Sequence, residues 1–547
     1  MGKVYTSILE KRLSRWCENK GIFAQEQAGF RSGRTTVNHI YTLAEIVKKR
    51  AKKRKHTFCC FLDIKKAYDT VWREGLWEKL HKIGIHPKII NVLKNLHEGV
   101  KSSVVINGKL SRWFDIDIGL RQGCILSPLL FLIFINDMLL ELKQTGLGIA
   151  VGTEKVSSLA FADDIATLAV NKSELQTLLG IAERYAKKWK FSFNTKKCKV
   201  MVFNRKQDNP DIFLDGDRLE VVQEYKYLGV WFDVKLNWKH HKEAVLAKAS
   251  RRAYAMMGFG VCNSLPTKTC VKLWEILVRP TLEYAAEVWG EGPWEEAEKL
   301  QREMGKMILG APARTTNEAV LGDLGWWELK ARRDKARLKL FKTLMDCQEG
   351  EYTKTLVKDP KGIWRQYTNN LLRHLQLDED TQAGLDKQKW RNILTDKMQQ
   401  IEEQRWRKSM ELKDKLRTYR RFKSKLQLEP YLSSGNRETR KLLTALRSGT
   451  NFLRIETGRH VGEKVKERVC SWCNEVEDEK HFLLDCELYE DIRNDTLEKC
   501  SQFPKGDANE GLSWLMGSTN WDLTSESTIP RFVYQAKKRR DRFLEML

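Results

Sequence analysis

The sequence predicts an α+β first half followed by a mostly α-helical second half. Short runs of β-branched and aromatic residues, bounded by turn residues, alternate with helical stretches up to about residue 235. Beyond residue 240 the apolar periodicity is helical almost to the end, with no internal repeat or low-complexity linker. The 547 residues leave room for three or four domains at roughly 150 residues each. A hydrophobic fraction of 41%, with 18 tryptophans, supplies a large core.

Taken in order, residues 1–15 read as a helix with Val4, Ile8, Leu9 and Leu13 on one face. TFCCFLD (57–63) reads as a short strand ending at Asp63, with Asp69 placed to cap the following helix. The stretch 102–119 reads as strands around an Asn107-Gly108 turn, a strong hairpin signal. Ser127-Pro128 reads as a helix start, a capping hydroxyl and then proline at the first helical position, and that helix runs to about Leu142. SSLAFADDIATLA (157–169) reads as strand–turn–strand with Asp163 and Asp164 at the bend. A helix at about 173–189 and short strands near 199–204 and 226–233 complete this half.

The balance of 97 Lys+Arg against 72 Asp+Glu, a formal +25, points to a polyanionic partner, most simply nucleic acid, with an inert basic surface as the rival. The longest apolar run, PLLFLIFI (128–135), falls far short of the ~20 residues that span a bilayer. No apolar segment follows the N-terminus as in a secretory signal, so an intracellular protein, in cytoplasm and nucleus, is expected. The twelve cysteines are then expected as thiols, and a close Cys/His group as a metal site.

Asp163 and Asp164 stand side by side in an apolar segment, where uncompensated anions cost several kcal/mol. A solvated turn is the bland explanation. Against it, the flanking runs are apolar on consecutive positions, and a second strand ends on Asp63. Three carboxylates converging from two strands need divalent cations, and hard oxygen ligands suit Mg²⁺ or Mn²⁺. Two such ions ~3.5–4 Å apart serve phosphoryl transfer, so a basic chain with this site is expected to be a polymerase or nuclease.

KKRAKKRK (48–55) is a nuclear localisation signal, a template contact or a solvated loop. Residues 405–425 carry ten Lys/Arg with Trp406, Tyr419 and Phe422 interleaved, either a nucleic-acid-binding helix or one packing its aromatics inward. CSWCNEVEDEKHFLLDC places Cys470, Cys473, His481 and Cys486 at C-x2-C-x7-H-x4-C spacing. Three thiolates and an imidazole close a tetrahedral Zn²⁺ sphere with no open position, which predicts a structural rather than a catalytic metal.

Six blocks in order, QAGFRSGRTT (27–36), FLDIKKAYDTV (61–71), GLRQGCILSPLLF (119–131), FADD (161–164), FNTKKCKVMVF (193–203) and YKYLGVWFD (225–233), closely resemble the reverse transcriptase of LINE-type (non-LTR) retrotransposons, jockey-like elements included. The likeness spans about residues 5–290, and the Cys₃His motif extends it. It implies a right-hand polymerase of fingers, palm and helical thumb, followed by a mostly α C-terminal region with a small zinc-binding segment. The division would be fingers and palm at 1–235, thumb at 236–300, a helical basic extension at 301–460, the zinc-binding segment at 461–495 and a basic tail at 496–547.

By the same resemblance, Asp63 and Asp163 are the principal Mg²⁺ ligands, Asp164 assists, and the carbonyl of Ile64 is an additional ligand. Tyr68 forms a wall beneath the sugar's 2′ position, with a core tyrosine as the rival. Gln122 and Gly123 lie against the incoming nucleotide and template base, and Lys197 stands near the leaving pyrophosphate, with Lys196 as its neighbour in register. Arg31, or alternatively Arg34, clamps the triphosphate, and Tyr227, Leu228 and Gly229 border the primer end. The partners implied are an RNA template, that of the element itself, a DNA primer or nicked target DNA, and deoxynucleoside triphosphates, with no membrane. The upstream endonuclease of full-length relatives is not visible, the chain opens within the first fingers block, and no clear RNase H domain follows the thumb. A catalytically inactive, nucleic-acid-binding remnant is the alternative reading. A group II intron maturase is a third, disfavoured by the Cys₃His segment.

Overall fold

The computed structural model describes residues 2–204, 209–258, 265–378, 381, 384–504, 506–517 and 521–547. The chain folds as two compact units, Met1–Lys242 with Leu340–Leu371, and Glu243–Lys339 with Leu372–Leu547. They cut across the five segments drawn from the sequence. Residues 340–371, expected in the helical extension, fold into the first unit, while the second takes in the zinc-binding segment and the tail.

The first unit is built on a five-stranded sheet of β1 (Thr57–Leu62), β2 (Ser158–Phe161), β3 (Asp164–Ala169), β4 (Lys199–Phe203) and β5 (Glu220–Val221), ordered β5-β4-β1-β3-β2. β1 is the central strand, antiparallel to both β3 and β4. All six of its residues are buried, as a strand covered on both faces must be. Phe58, Cys60 and Leu62 face a core closed by helices α5 (Ser127–Gln144) and α6 (Lys172–Lys188). Each such buried Phe or Leu stabilises the fold by about 1.5–3 kcal/mol. On the other face Phe61 stacks on Tyr225 of a hairpin, β6 (Glu224–Tyr227) and β7 (Val230–Asp233). The run expected as one strand at 226–233 is therefore two, because Leu228 and Gly229 both take positive φ (45° and 83°) and turn the chain.

Other expectations meet similar local corrections. The first helix, α1 (Gly2–Asn19), buries Thr6, Leu9, Leu13 and Cys17, whereas Val4 and Ile8 are 65% and 52% exposed. The buried stripe is thus rotated from the predicted one, to one recurring every three or four residues. Asn107 and Gly108 do turn the 105–110 hairpin, with φ of 50° and 78°. Asp69 caps no helix: the next, α3 (Arg73–Lys82), starts three residues later from Trp72. Ser127 opens α5, but its hydroxyl donates to the Arg121 carbonyl at 2.7 Å instead of capping.

Residues 340–371 dock within the first unit on α2 (Thr36–Lys52), where the fully buried Trp364 meets Tyr41 edge-on at 4.9 Å. The second unit is helical in its described residues, its longest helices being Lys387–Glu411 and Leu523–Met546. Among the described residues no helix is long and apolar enough to cross a membrane.

Candidate active site and metal centre

The sheet brings the three predicted carboxylates together. Leu62 pairs with Ile165, so one further step in the antiparallel register sets Asp63 opposite Asp164. β2 and β3 are joined by the two-residue turn Ala162-Asp163, closed by the Phe161–Asp164 pair. Ala162 has φ 57°, a left-handed conformation that costs a residue with a Cβ about 1–3 kcal/mol. Partial desolvation, then the charges of Asp163 and Asp63, push the Asp164 carboxyl up to about 6. Desolvation also raises Asp163, with Asp63 contributing. A group of anions that disfavour one another's charge is what a divalent cation would relieve.

The loop after α6 hangs on the strand end: the Asn194 N–H donates to the Asp63 carbonyl at 2.8 Å. It carries Lys197, whose Nζ lies 3.7 Å from Asp63 Oδ1 while the side chain stays 68% exposed. Tyr68 is half-buried and stacked on Phe131 of α5 (ring centroids 5.2 Å, 26°). Burial, and then the charge of Asp163, push its phenol up to about 12. Gln122 donates to Asp69 Oδ1 at 2.9 Å, and Gly119 must be glycine, since a Cβ there would sit 2.6 Å from the Asp69 carbonyl oxygen. Gly123, with φ 80°, is exposed beside it.

Arg31 is engaged within the protein. Its guanidinium makes a bidentate pair with Glu18 (2.8 Å for each bond) and donates to the carbonyls of Ala24 and Gln27. Arg34 donates to the Gln25 carbonyl and pairs with Glu351 at 3.4 Å. Both arginines tie the 24–31 segment down. Tyr227 is buried and donates to the Leu159 carbonyl at 3.2 Å, leaving Leu228-Gly229 as the tip of its hairpin.

Two residues escaped the sequence reading. Tyr225 lies parallel on Phe61 at 4.0 Å, and burial, then Asp164 and Asp63, hold its phenol well above the usual range. The alternation in YKYLGV carried that signal, since Tyr225 and Tyr227 share a strand face. Gln27 is fully buried and bonded to Ala162, and no sequence signal links positions so far apart.

In the second unit Cys470, Cys473, His481 and Cys486 converge, with one ligand atom from each lying within 4.8 Å of the others. Cys470 Sγ and Cys486 Sγ are 4.0 Å apart, and Cys473 Sγ lies 3.3 Å from His481 Nε2. A tetrahedral ion with thiolates at about 2.3 Å and imidazole at about 2.0 Å sets ligand atoms roughly 3.5–3.8 Å apart, so this is a metal-type group. Asn474 at φ 63° closes the Cys-x2-Cys turn, donating to the Cys470 carbonyl at 2.9 Å. Glu477, within the loop, accepts two bonds from Arg540 (2.6 and 2.8 Å). Residues 537–542 are accordingly part of the helix Leu523–Met546, with Arg540 built into the unit instead of projecting from a tail.

The basic stretch 405–425 resolves in favour of inward aromatics. Trp406 and Tyr419 are buried with Phe422 packed against them, and the helix breaks after Glu411. Arg405, Arg417 and Lys423 are paired with Glu328, Glu479 and Glu429. The earlier basic run is part helix and part exposed turn, at residues 53–55. Lys48–Lys52 close α2, Lys49 pairs with Asp359 at 2.8 Å, and Lys52 donates to the Lys361 carbonyl.

Comparison with known proteins agrees with this geometry. Residues 1–232 match the family model described as reverse transcriptase (RNA-dependent DNA polymerase). The RNA-directed DNA polymerase from mobile element jockey of Drosophila funebris is 31% identical over 324 residues, covering 57% of this chain and 35% of that protein. The Pol polyprotein of the type-1 retrotransposable element R2 of Popillia japonica is 30% identical over 236 residues, 41% of this chain and 33% of that one. This chain thus spans about a third of the length of these curated relatives. A solved apo telomerase from Candida tropicalis shows a partial likeness, with 12% identity and TM-score 0.33 over 64% of this chain and 61% of that one. The sheet with carboxylates at the ends of β1 and the β2–β3 hairpin lies within residues 1–232, the stretch that matches the reverse transcriptase family and is similar to the polymerases of non-LTR retrotransposons.

Proposed function

We propose that the chain is an RNA-directed DNA polymerase of a non-LTR retrotransposon, adding deoxynucleotides to a primer 3′ hydroxyl on an RNA template. The observation that carries it is the meeting of Asp63, Asp163 and Asp164 at facing strand ends inside the domain-matched region. Mg²⁺ or Mn²⁺ held by these carboxylates would activate the hydroxyl and stabilise the departing pyrophosphate oxygen. Lys197, exposed beside Asp63, would lend a proton or positive charge to the leaving pyrophosphate. Tyr68 would wall the sugar, and Gln122 and Gly123 would meet the nucleotide and template base. Residues 236–300 would serve as the thumb. The Cys₃His group would hold Zn²⁺ as a structural ion. The template would be the element's own RNA and the primer nicked target DNA.

The purified chain should extend a DNA primer on RNA only with Mg²⁺ or Mn²⁺. Asp163→Asn should reduce extension at least ~1,000-fold, about 4 kcal/mol in barrier. Template binding in a filter assay should be nearly unchanged, because phosphate contacts carry affinity. Undiminished extension by the variant removes the carboxylate assignment. A wild-type chain that binds RNA yet never extends is the inactive remnant.

A further inference from the structure

The left-handed Ala162 sits immediately before Asp163, in a turn that must place a carboxylate for catalysis. A Cβ disfavours that conformation, so an isolated Ala-Asp turn would relax out of it. What holds it comes from 135 residues earlier in the chain. The Gln27 carboxamide oxygen accepts the N–H of Ala162 at 2.9 Å and that of Gly29 at 2.8 Å. Its amide nitrogen lies 3.4 Å from the Ala162 carbonyl oxygen, donating along the peptide that leads into Asp163. Both backbone polar groups of the strained residue are thus engaged by one side chain, which is itself 0% exposed.

The surrounding segment is built to bring that side chain in. Gly29 has no room for a side chain, since a Cβ there would lie 2.3 Å from the Ala162 nitrogen. On the outer edge of β2 the Ala160 N–H donates to the Glu26 carbonyl and the Ala28 N–H to the Ala160 carbonyl, each at 2.9 Å. His39 Nε2 lies 3.0 Å from both the Glu26 and Ala160 carbonyl oxygens, so it donates as Nε2–H and joins the two strands. The Gln25 carbonyl is held by Tyr352 at 3.0 Å and by Arg34 at 3.1 Å. The strap is anchored on both flanks, which a side chain merely satisfying a core amide would not need.

We propose that Gln27 is the positioning residue of the Asp163 turn, holding Ala162 left-handed so that the carboxylate meets those of Asp63 and Asp164. This rests on the reading of Asp163 as a catalytic carboxylate. A glycine at 162 would adopt the same φ without strain and depend less on the clamp. Repair by glycine therefore separates positioning from general support of the core.

The test compares the wild-type chain, Gln27→Ala, Ala162→Gly and the double variant. The measurements are single-nucleotide extension across a Mg²⁺ titration and the thermal midpoint. Gln27→Ala should lower extension about 100-fold, the scale of a 1 Å misplacement, and raise the Mg²⁺ needed for half-maximal rate. Adding Ala162→Gly should recover at least ~10-fold of the rate while the thermal midpoint stays below that of the wild type, because the Ala162 and Gly29 N–H groups still lack the Gln27 acceptor. Wild-type extension by Gln27→Ala, or a loss that the glycine does not repair, overturns the proposal. Should Gln27→Ala not fold, Gln27→Met keeps the length of the side chain and takes its place. Failure of both to fold assigns Gln27 a purely structural role. If the wild type itself does not extend, the polymerase reading falls, and Mn²⁺ binding followed by electron paramagnetic resonance decides this one. Weaker Mn²⁺ binding in the Gln27 variant, restored by the glycine, upholds positioning, and equal binding overturns it.

Discussion

A charged cluster in each unit is balanced in an opposite way. In the second, Asp323, Glu429, Arg447 and Lys423 are all at most 4% exposed, two anions balanced by two cations. Arg447 donates to both Asp323 oxygens (2.9 and 3.1 Å) and to Glu429, Lys423 closes on Glu429, and Tyr419 and Tyr431 each give Asp323 a hydroxyl at 2.8 Å. Burial works against the Asp323 charge, yet Arg447 beside it holds the carboxyl below the usual range. In the first unit three carboxylates gather with Lys197 3.7 Å from one of them, and two have their acidity weakened. Charge matched inside the protein is architecture. Charge left unmatched by the protein is a site, because the missing partner must come from outside.

The largest expected effect adds a third case to this contrast, thiols that also await a partner. Cys470→Ser with Cys473→Ser should remove about one zinc per chain by elemental analysis and expose residues 465–490 to protease. Structural zinc contributes of order 10 kcal/mol to folding in small zinc modules. Full zinc retention would end the metal assignment.

Next in size is Arg447→Met, which strands the buried Asp323 and leaves Glu429 with Lys423 alone, and should destabilise the second unit by about 3–5 kcal/mol in urea unfolding. A loss under ~1 kcal/mol would show that the network is not what holds that unit together.

A smaller effect is expected at the unmatched site's sugar wall. Tyr68→Val should raise ribonucleotide over deoxynucleotide incorporation at least ~10-fold in single-nucleotide extension, about 1.4 kcal/mol in relative barrier. Equal loss toward both sugars would make Tyr68 a packing residue on Phe131.

The smallest effect is the sharpest in sign. Asp164→Asn removes one of three mutually repelling anions, so it should stabilise the metal-free protein by about 1 kcal/mol in urea unfolding. Mg²⁺ should then stabilise the variant less than the wild type. Destabilisation of the metal-free protein by Asp164→Asn would mean that its carboxylate is paired within the fold, and the contrast between the units would fail.

Features carried by short stretches of chain were legible in the residues alone. Asp163 and Asp164 are adjacent, Asp63 ends the run TFCCFLD, and the four Cys₃His ligands lie within residues 470–486. Strand alternation and tetrahedral valence constrain such groups locally, so spacing predicts chemistry. The turn at Asn107-Gly108 was legible for the same reason, since positive φ is a property of those two residues. Partners could not be read. The sequence does not tell that Arg31 pairs with Glu18, and residues 405–425 read equally as a nucleic-acid face or a helix with inward aromatics, a choice settled only by Trp406 and Tyr419 lying in the core.

The sequence by itself thus determined the α+β then α order, the strand-end carboxylates and the Cys₃His group, because each depends on bonds and periodicities that span a few residues. Only the tertiary structure decided that residues 340–371 return to the first unit, that α1 buries Thr6 and Cys17 instead of Val4 and Ile8, and that Gln27 clamps Ala162. Periodicity tells which face of an element is apolar, but not what will cover it. A hydrogen bond between residues 27 and 162 exists only once the sheet has brought them within 3 Å, and no property of either residue announces the other.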